Sequence, residues 1–145
     1  MARLTVNEAG TSGYTDEIIL TPNDFTTAAG NTTTVVNFPV EAGDTIDNCA
    51  LVITEAFSVN VNMTIGPDSN VLSGGDADGF IENVATNATS TTVNSGDLLD
   101  DGGGANESKV VAAAAGNITI TASGALDGAT SGSMRVLFSV KRINF

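Results

Sequence analysis

The chain is 145 residues long, enough for one domain, and is 41% hydrophobic but only 5% aromatic, with no Trp and no His. A formal charge of −12 excludes the dense basic surface that gives proteins their non-specific grip on nucleic acid, and without His there is no imidazole for acid–base catalysis or a triad. Thr, Asn, Ser and Gly dominate a polar fraction with only 15% charged residues, a composition that suits strands and turns better than exposed helices; the expected fold is all-β, a single antiparallel β-sandwich or jelly roll of about eight strands with long Gly/Asp-rich loops at one end.

Taken in chain order, Leu4-Thr5-Val6 and the polar stretch after it read as an N-terminal arm or edge strand over residues 1–15, ahead of a sandwich domain over 16–145. Ile18-Ile19-Leu20 is a strand stopped by the turn residues Thr21-Pro22-Asn23-Asp24. Thr34, Val36, Phe38 and Val40 share one face of the next strand, which Glu41-Ala42-Gly43-Asp44 closes. Residues 49–57 are apolar on both parities except at Glu55, which predicts a central strand covered on most of both faces. From Val59 the alternation is strict, with Val61, Met63 and Ile65 inward and Asn60, Asn62 and Thr64 outward, until Gly66-Pro67 ends it. Residues 66–108 are the least regular part, Gly- and Asp-rich loops around short strands at Phe80–Ala85 and Thr89–Val93. In Lys109–Ala115 the alanines favour helix and Val110-Val111 favour strand, and the strand-rich context decides for strand. Ile118, Ile120 and Ala122 then alternate with Thr119, Thr121 and Ser123, and a Gly-rich loop leads into a last strand over Met134–Ile143.

The charge is split along the chain. Residues 1–108 carry sixteen Asp/Glu against the single Arg3, whereas 109–145 carry Lys109, Arg135, Lys141 and Arg142 against Asp127, so −15 and +3 make −12. In the last strand Met134, Val136, Phe138 and Val140 take the core parity, leaving Arg135 and Lys141 on the opposite face and Arg142 just past the sheet. A basic strand in an acidic body is read either as solubilising charge or as a local contact with an acidic protein surface; on the second reading Arg3, Arg135, Lys141 and Arg142 are the candidate oligomer or partner contacts.

No catalytic, cofactor-binding or metal-binding residue is expected. Cys49, the lone cysteine, lies in the apolar run before Ala50-Leu51-Val52-Ile53 and reads as a buried small hydrophobe. Asp76-Ala77-Asp78-Gly79 begins like a calcium loop, but Phe80 and Asn87 occupy positions where an EF-hand needs ligands; Asp97, Asp100 and Asp101 leave open a different geometry, and solvated loop acids are the expected reading. Every acid but Glu55 sits among Gly, Asn or Ser, which disfavours a carboxylate-pair hydrolase. No stretch approaches the ~20 apolar residues of a membrane span, and the N-terminus lacks the apolar core of a signal peptide, so no membrane association is expected.

Ala42-Gly43-Asp44-Thr45-Ile46, Ile53-Thr54-Glu55-Ala56-Phe57, Thr64-Ile65-Gly66, Asn117-Ile118-Thr119-Ile120-Thr121 and Ser133-Met134-Arg135-Val136 together resemble the turns and strands of jelly-roll decoration (cement) proteins on the capsids of tailed bacteriophages. The resemblance spans residues 42–145 and carries no catalytic signature. It implies a structural virion protein on the outer capsid surface, a homo-oligomer (trimer or dimer) that binds the major capsid protein and clamps neighbouring capsomers through several small interfaces acting together. It places the subunit contact on the polar sandwich face and terminal strand, and the capsid contact on residues 1–15 or the loops of 66–108. The competing reading is a carbohydrate- or receptor-binding sandwich from a phage tail or surface structure, disfavoured because sugar sites stack rings on aromatics and this chain offers only Tyr14 beyond its six Phe.

Overall fold

The computed structural model describes residues 2–5, 14–25, 34–99, 109–126 and 128–142, with 2–5 and Thr34 described by backbone alone. Among them the alternating segments form ten strands: β1 (Ala2–Thr5), β2 (Asp16–Leu20), β3 (Thr34–Val40), β4 (Thr45–Glu55), β5 (Asn62–Pro67), β6 (Ile81–Ala85), β7 (Ser90–Val93), β8 (Val110–Val111), β9 (Gly116–Ala122) and β10 (Ser133–Lys141). One sheet runs β1-β2-β10-β4-β7 with β8 also pairing with β4, and the other runs β3-β9-β5-β6. Every pair is antiparallel.

The pairing is nested. β5 joins β6, β4 joins β7, β3 joins β9 and β2 joins β10, so the chain behaves as one long two-stranded ribbon rolled until its halves face each other, which is a jelly roll. Rolling sends alternate connections to opposite ends. The β3–β4 turn, the long β5–β6 loop and the β7–β9 connection therefore meet at one end, where Gly96 N–H donates to Phe80 O (3.0 Å), Ala113 N–H to Val71 O (3.0 Å) and Gly43 N–H to Ala112 O (2.8 Å). Among the described residues the Gly/Asp-rich loops expected at one end are there; residues 100–108 lie outside them. The described loops lie close on the sheets because Gly66 and Gly96 lack a Cβ, which at Gly66 would stand 1.8 Å from Asp76 O and at Gly96 2.3 Å from the Gly79 carbonyl carbon.

Inward parity and burial coincide. Val36, Phe38 and Val40 of β3 and Ile118, Ile120 and Ala122 of β9 meet Leu51 and Ile53 of β4 and Met134, Val136, Phe138 and Val140 of β10. The Phe38 and Phe138 rings bridge the sheets with centroids 4.5 Å apart. Four Phe side chains, Phe25, Phe38, Phe80 and Phe138, are among the largest fully buried groups, so the few aromatics supply bulk that Val and Ala lack. β4 and β10 are covered on both faces only where they pair at Ala50 and Leu137, which point away from the core and are 3% and 2% exposed; on the same side Val52 and Arg135 are half-buried and Thr54 is exposed.

Several boundaries differ from the sequence reading, three of them for a visible reason. β4 begins at Thr45, ahead of Cys49, because Lys141 of β10 and Val111 of β8 both pair with it there. β5 begins at Asn62 because the Val61 N–H is taken by the buried Thr86 hydroxyl (3.1 Å) before a ladder forms. β8 is two residues long because Ala112 and Ala113 turn their N–H groups to Asp44 O and Val71 O in the loops.

Phe138→Ala removes the ring that bridges the two sheets and is expected to lower unfolding free energy by about 3–5 kcal/mol in urea denaturation. A loss below about 1 kcal/mol would show that the two sheets do not depend on this contact.

Candidate functional site

The basic last strand lies between two strands that carry acids. On its β2 side Arg135 makes an ion pair through Nε and Nη2 with Glu17 Oε2, and Glu17 is 4% exposed. Beyond the strand's end Arg142 grips Asp16 with two parallel bonds, Nη2 to Oδ2 at 2.6 Å and Nη1 to Oδ1 at 3.1 Å. On the β4 side the exposed Lys141 reaches Asp47 Oδ2 at 3.1 Å, while Asp47 Oδ1 is buried with no partner among the described residues. The hydrogen bonds to Asp16 push the Arg142 pKa up against the opposing effect of burial, and the Asp16 and Asp44 charges add to that. The acidic surface that this strand meets is thus first of all its own chain's. Contact with another molecule through Arg135 or Arg142 would have to compete with these internal, largely desolvated partners.

Arg3 falls in β1, at the register position opposite Ile18 of β2; its side chain lies outside the described residues. β2 is held further by Thr15, whose hydroxyl accepts from Val140 N–H (2.9 Å) and whose N–H donates to Phe138 O (2.8 Å). Asp16, Glu17 and Asp47 were not singled out from the sequence. The signal was there: acids inside apolar strand segments are rare unless an opposite charge sits across the ladder.

The acidic loop end has its own order. Asp68 closes the long loop by accepting from Asn70 N–H and Val71 N–H (3.0 Å each) through Oδ1, and from Asn117 N–H (2.9 Å) of β9 through Oδ2. Asp76, Asp78 and Asp97 come together beside it; burial raises the Asp76 pKa, helped by a side-chain hydrogen bond with Asp78 and by the charges of Asp78 and Asp97. Among the described residues no three His, Cys, Asp or Glu are grouped so as to hold a metal ion, and Asp100 and Asp101 lie outside them. Cys49 is fully buried and its thiol pKa is pushed well up by burial, so it is held as the unreactive thiol.

Where the two sheets part at β6 and β7, an open crevice of about 440 Å³ is lined by Glu82, Asn83, Asn87, Ser90, Thr92 and Ser95 over Val84, Ala85 and Ala88. Ser90 and Thr92 pair with Ile53 and Leu51, so polar residues occupy the inward parity here and leave the edge wet. Asn83 and Asn94 flank it with positive φ (25° and 49°), Asn94 being fixed by its side chain accepting Cys49 N–H at 2.8 Å and donating to Asn48 Oδ1 at 2.9 Å. No protein-family model, curated protein or solved structure matches this chain.

Two outcomes follow from these charges. Arg142→Met removes the two parallel bonds that the buried Asp16 receives from the guanidinium and is expected to cost about 1–3 kcal/mol in urea denaturation, whereas Lys141→Met, at an exposed pair, should cost at most about 0.5 kcal/mol. Equal losses would mean that the pairs are equivalent surface charges. For Asp76, a raised folded-state pKa means that folding favours the protonated carboxyl, so its contribution to stability falls as pH rises through its titration. Asp76→Asn should therefore raise Tm at about pH 7 and lose that gain at about pH 3. A lower Tm at neutral pH would show that the carboxylate itself is needed.

Proposed function

We propose that this chain is a structural virion protein, a capsid decoration (cement) protein that binds the outer capsid surface as an oligomer and strengthens contacts between capsomers without catalysis. The observation that carries the reading is where the quoted motifs fall. Ala42-Gly43-Asp44 is the turn into β4, Ile53-Thr54-Glu55 ends β4, Thr64-Ile65-Gly66 lies in β5, Asn117–Thr121 in β9 and Ser133–Val136 in β10, all within one jelly roll. The resemblance requires that arrangement of strands and turns, and it is what supports extending the likeness from fold to role. Fold alone would not, because jelly rolls serve many functions.

In this reading the mechanism is added contact area. The rigid sandwich presents loops at one end, anchored by Asp68, and several small interfaces per oligomer combine into an avidity that no single contact has. A second reading, a glycan- or receptor-binding module, is favoured by one feature, the β6–β7 crevice with its hydroxyl and amide lining. Among the described residues no aromatic side chain lines that crevice to stack on a sugar ring, which keeps the reading second.

Expanded capsids stripped of their decoration layer, mixed with the purified chain and sedimented, are expected to carry it down at a fixed stoichiometry per capsomer and to lose less genome on heating. No co-sedimentation, together with a specific hit on a glycan array, would replace the first reading with the second.

A further inference from the structure

We infer that a crevice at the end of the sandwich away from the acidic loops binds a lysine side chain of a partner protein, with Glu55 as the group that receives its ammonium. The crevice has a volume of about 360 Å³ and opens between the turn after β2 and the β9–β10 connection, with Thr21, Asn23, Glu55, Thr130 and Ser131 among its walls. Glu55 is the acid that the sequence sets apart, the one charge in the apolar run 49–57, and it closes β4 beside this crevice. Its Oε1 accepts the Gly132 N–H at 3.1 Å, which holds the carboxylate in place. The walls are fixed as well. On one side Thr21 N–H donates to Asp24 Oδ2 (2.9 Å) and Asp24 N–H to Thr21 O (3.0 Å); on the other Thr130 N–H donates to Ser58 Oγ (2.8 Å) and Ser58 N–H to Ser131 O (3.1 Å). Gly132 has a φ of 138°, and a Cβ on it would stand 2.4 Å from Phe57 Cδ1, so the loop lies directly on the buried Phe57 ring.

Charge and hydrogen bonding select the ligand. Among the described residues no cation of this chain pairs with Glu55: Arg135, Lys141 and Arg142 are engaged with Glu17, Asp47 and Asp16, and Lys109 precedes β8 at the opposite end. A carboxylate held in a concavity of hydroxyl and amide groups, in a body of formal charge −12, draws its cation from outside. The lining favours ammonium over guanidinium. An arginine fork takes both carboxylate oxygens at once, and Oε1 is already engaged by Gly132; an ammonium needs one carboxylate oxygen, and its other N–H groups suit the hydroxyl oxygens of Thr21, Thr130 and Ser131. The attachment of that ammonium follows from the same lining. Glu55 is the only acid among the described lining residues, and Asp24 beside them is turned to the Thr21 N–H, so the second ammonium of a free diamine meets no carboxylate of its own. A lysine side chain brings one charge on an aliphatic stem, which Pro22 and Ala129 of the wall can cover.

The site lies apart from the segments to which the decoration reading assigns the capsid, and its test uses the isolated full-length chain, so either reading can fail alone. Nα-acetyl-lysine methylamide, titrated at constant ionic strength and neutral pH into the isotope-labelled chain, is expected to shift the Thr21, Thr130, Ser131 and Gly132 amide resonances along one saturable curve. The dissociation constant should be about 1–30 mM, as fits a few polar contacts. The arginine analogue should bind at least about threefold more weakly, and the Nε-acetylated lysine, which has lost its charge, should not bind. Glu55→Gln, whose amide oxygen can still accept from Gly132 N–H, should weaken lysine binding by about tenfold or more, while Glu82→Gln at the β6–β7 crevice should change it less than about twofold. Ser131→Ala, expected to weaken binding by about two- to fivefold, reads the same site should the first variant not fold. Shifts that do not saturate, arginine binding as tightly as lysine, equal binding of the Nε-acetylated probe, or binding untouched by Glu55→Gln would each overturn the inference. Putrescine binding about tenfold tighter than the lysine probe would assign the crevice to free polyamines and overturn the protein partner.

Discussion

The rest of the structure hangs on β10 lying between β2 and β4. Its inward side chains, Met134, Val136, Phe138 and Val140, are at most 3% exposed, and its ladders run to Asp16–Leu20 on one side and Thr45–Glu55 on the other. Until this last strand is in place β2 has no inner neighbour, and the nested ribbon that ends in the β2–β10 pair is open. The contact joins residues more than a hundred positions apart, so the loop-closure entropy is met late and rewarded by burial only when the sheet completes. The cations carried by β10 belong to the same event. Glu17 and Asp16 are buried, and would be costly to desolvate if Arg135 and Arg142 were not brought to them by the strand pairing itself.

Seen this way, the net charge is distributed by architecture. Inside the larger sheet opposite charges face each other and largely cancel, the strands β3, β5 and β9 carry none, and the surplus of acid collects in the turns and loops, much of it at one end. Strands tolerate few charges because half of their positions face a core, so in a chain dominated by strands the acids fall to the connections. The nested topology then gathers alternate connections together, which is why Asp68, Asp76, Asp78 and Asp97 share an end though the sequence spreads them over thirty residues. The polarity of the molecule, one acidic end and one neutral sheet face, is a by-product of rolling the ribbon.

The thiol is buried, and the crevice at β6 and β7 is an open edge where the sheets part.

Several features were determined by the sequence alone. Alternation in Val36-Asn37-Phe38, in Met63-Thr64-Ile65, in Ile118-Thr119-Ile120 and in the last strand specified which side chains enter the core, because a strand's two faces follow directly from its period of two. The double-sided apolar run at 49–57 announced a strand covered on most of both faces; it lies in β4, but on the side away from the core only Ala50 is buried, Val52 being half-buried and Thr54 exposed. Pairing was a different matter. Which strand lies beside which depends on contacts between distant segments, so the sequence showed a basic last strand but not that β2 and β4 would bring Glu17, Asp16 and Asp47 to its flanks. Strand limits at β4, β5 and β8 were likewise decided by tertiary hydrogen bonds from Lys141, Thr86 and the loop carbonyls, which no local pattern contains. Local periodicity sets the faces of each strand, and only the closed ladder sets its neighbours; Arg135, Lys141 and Arg142 met Glu17, Asp47 and Asp16 when those neighbours were chosen.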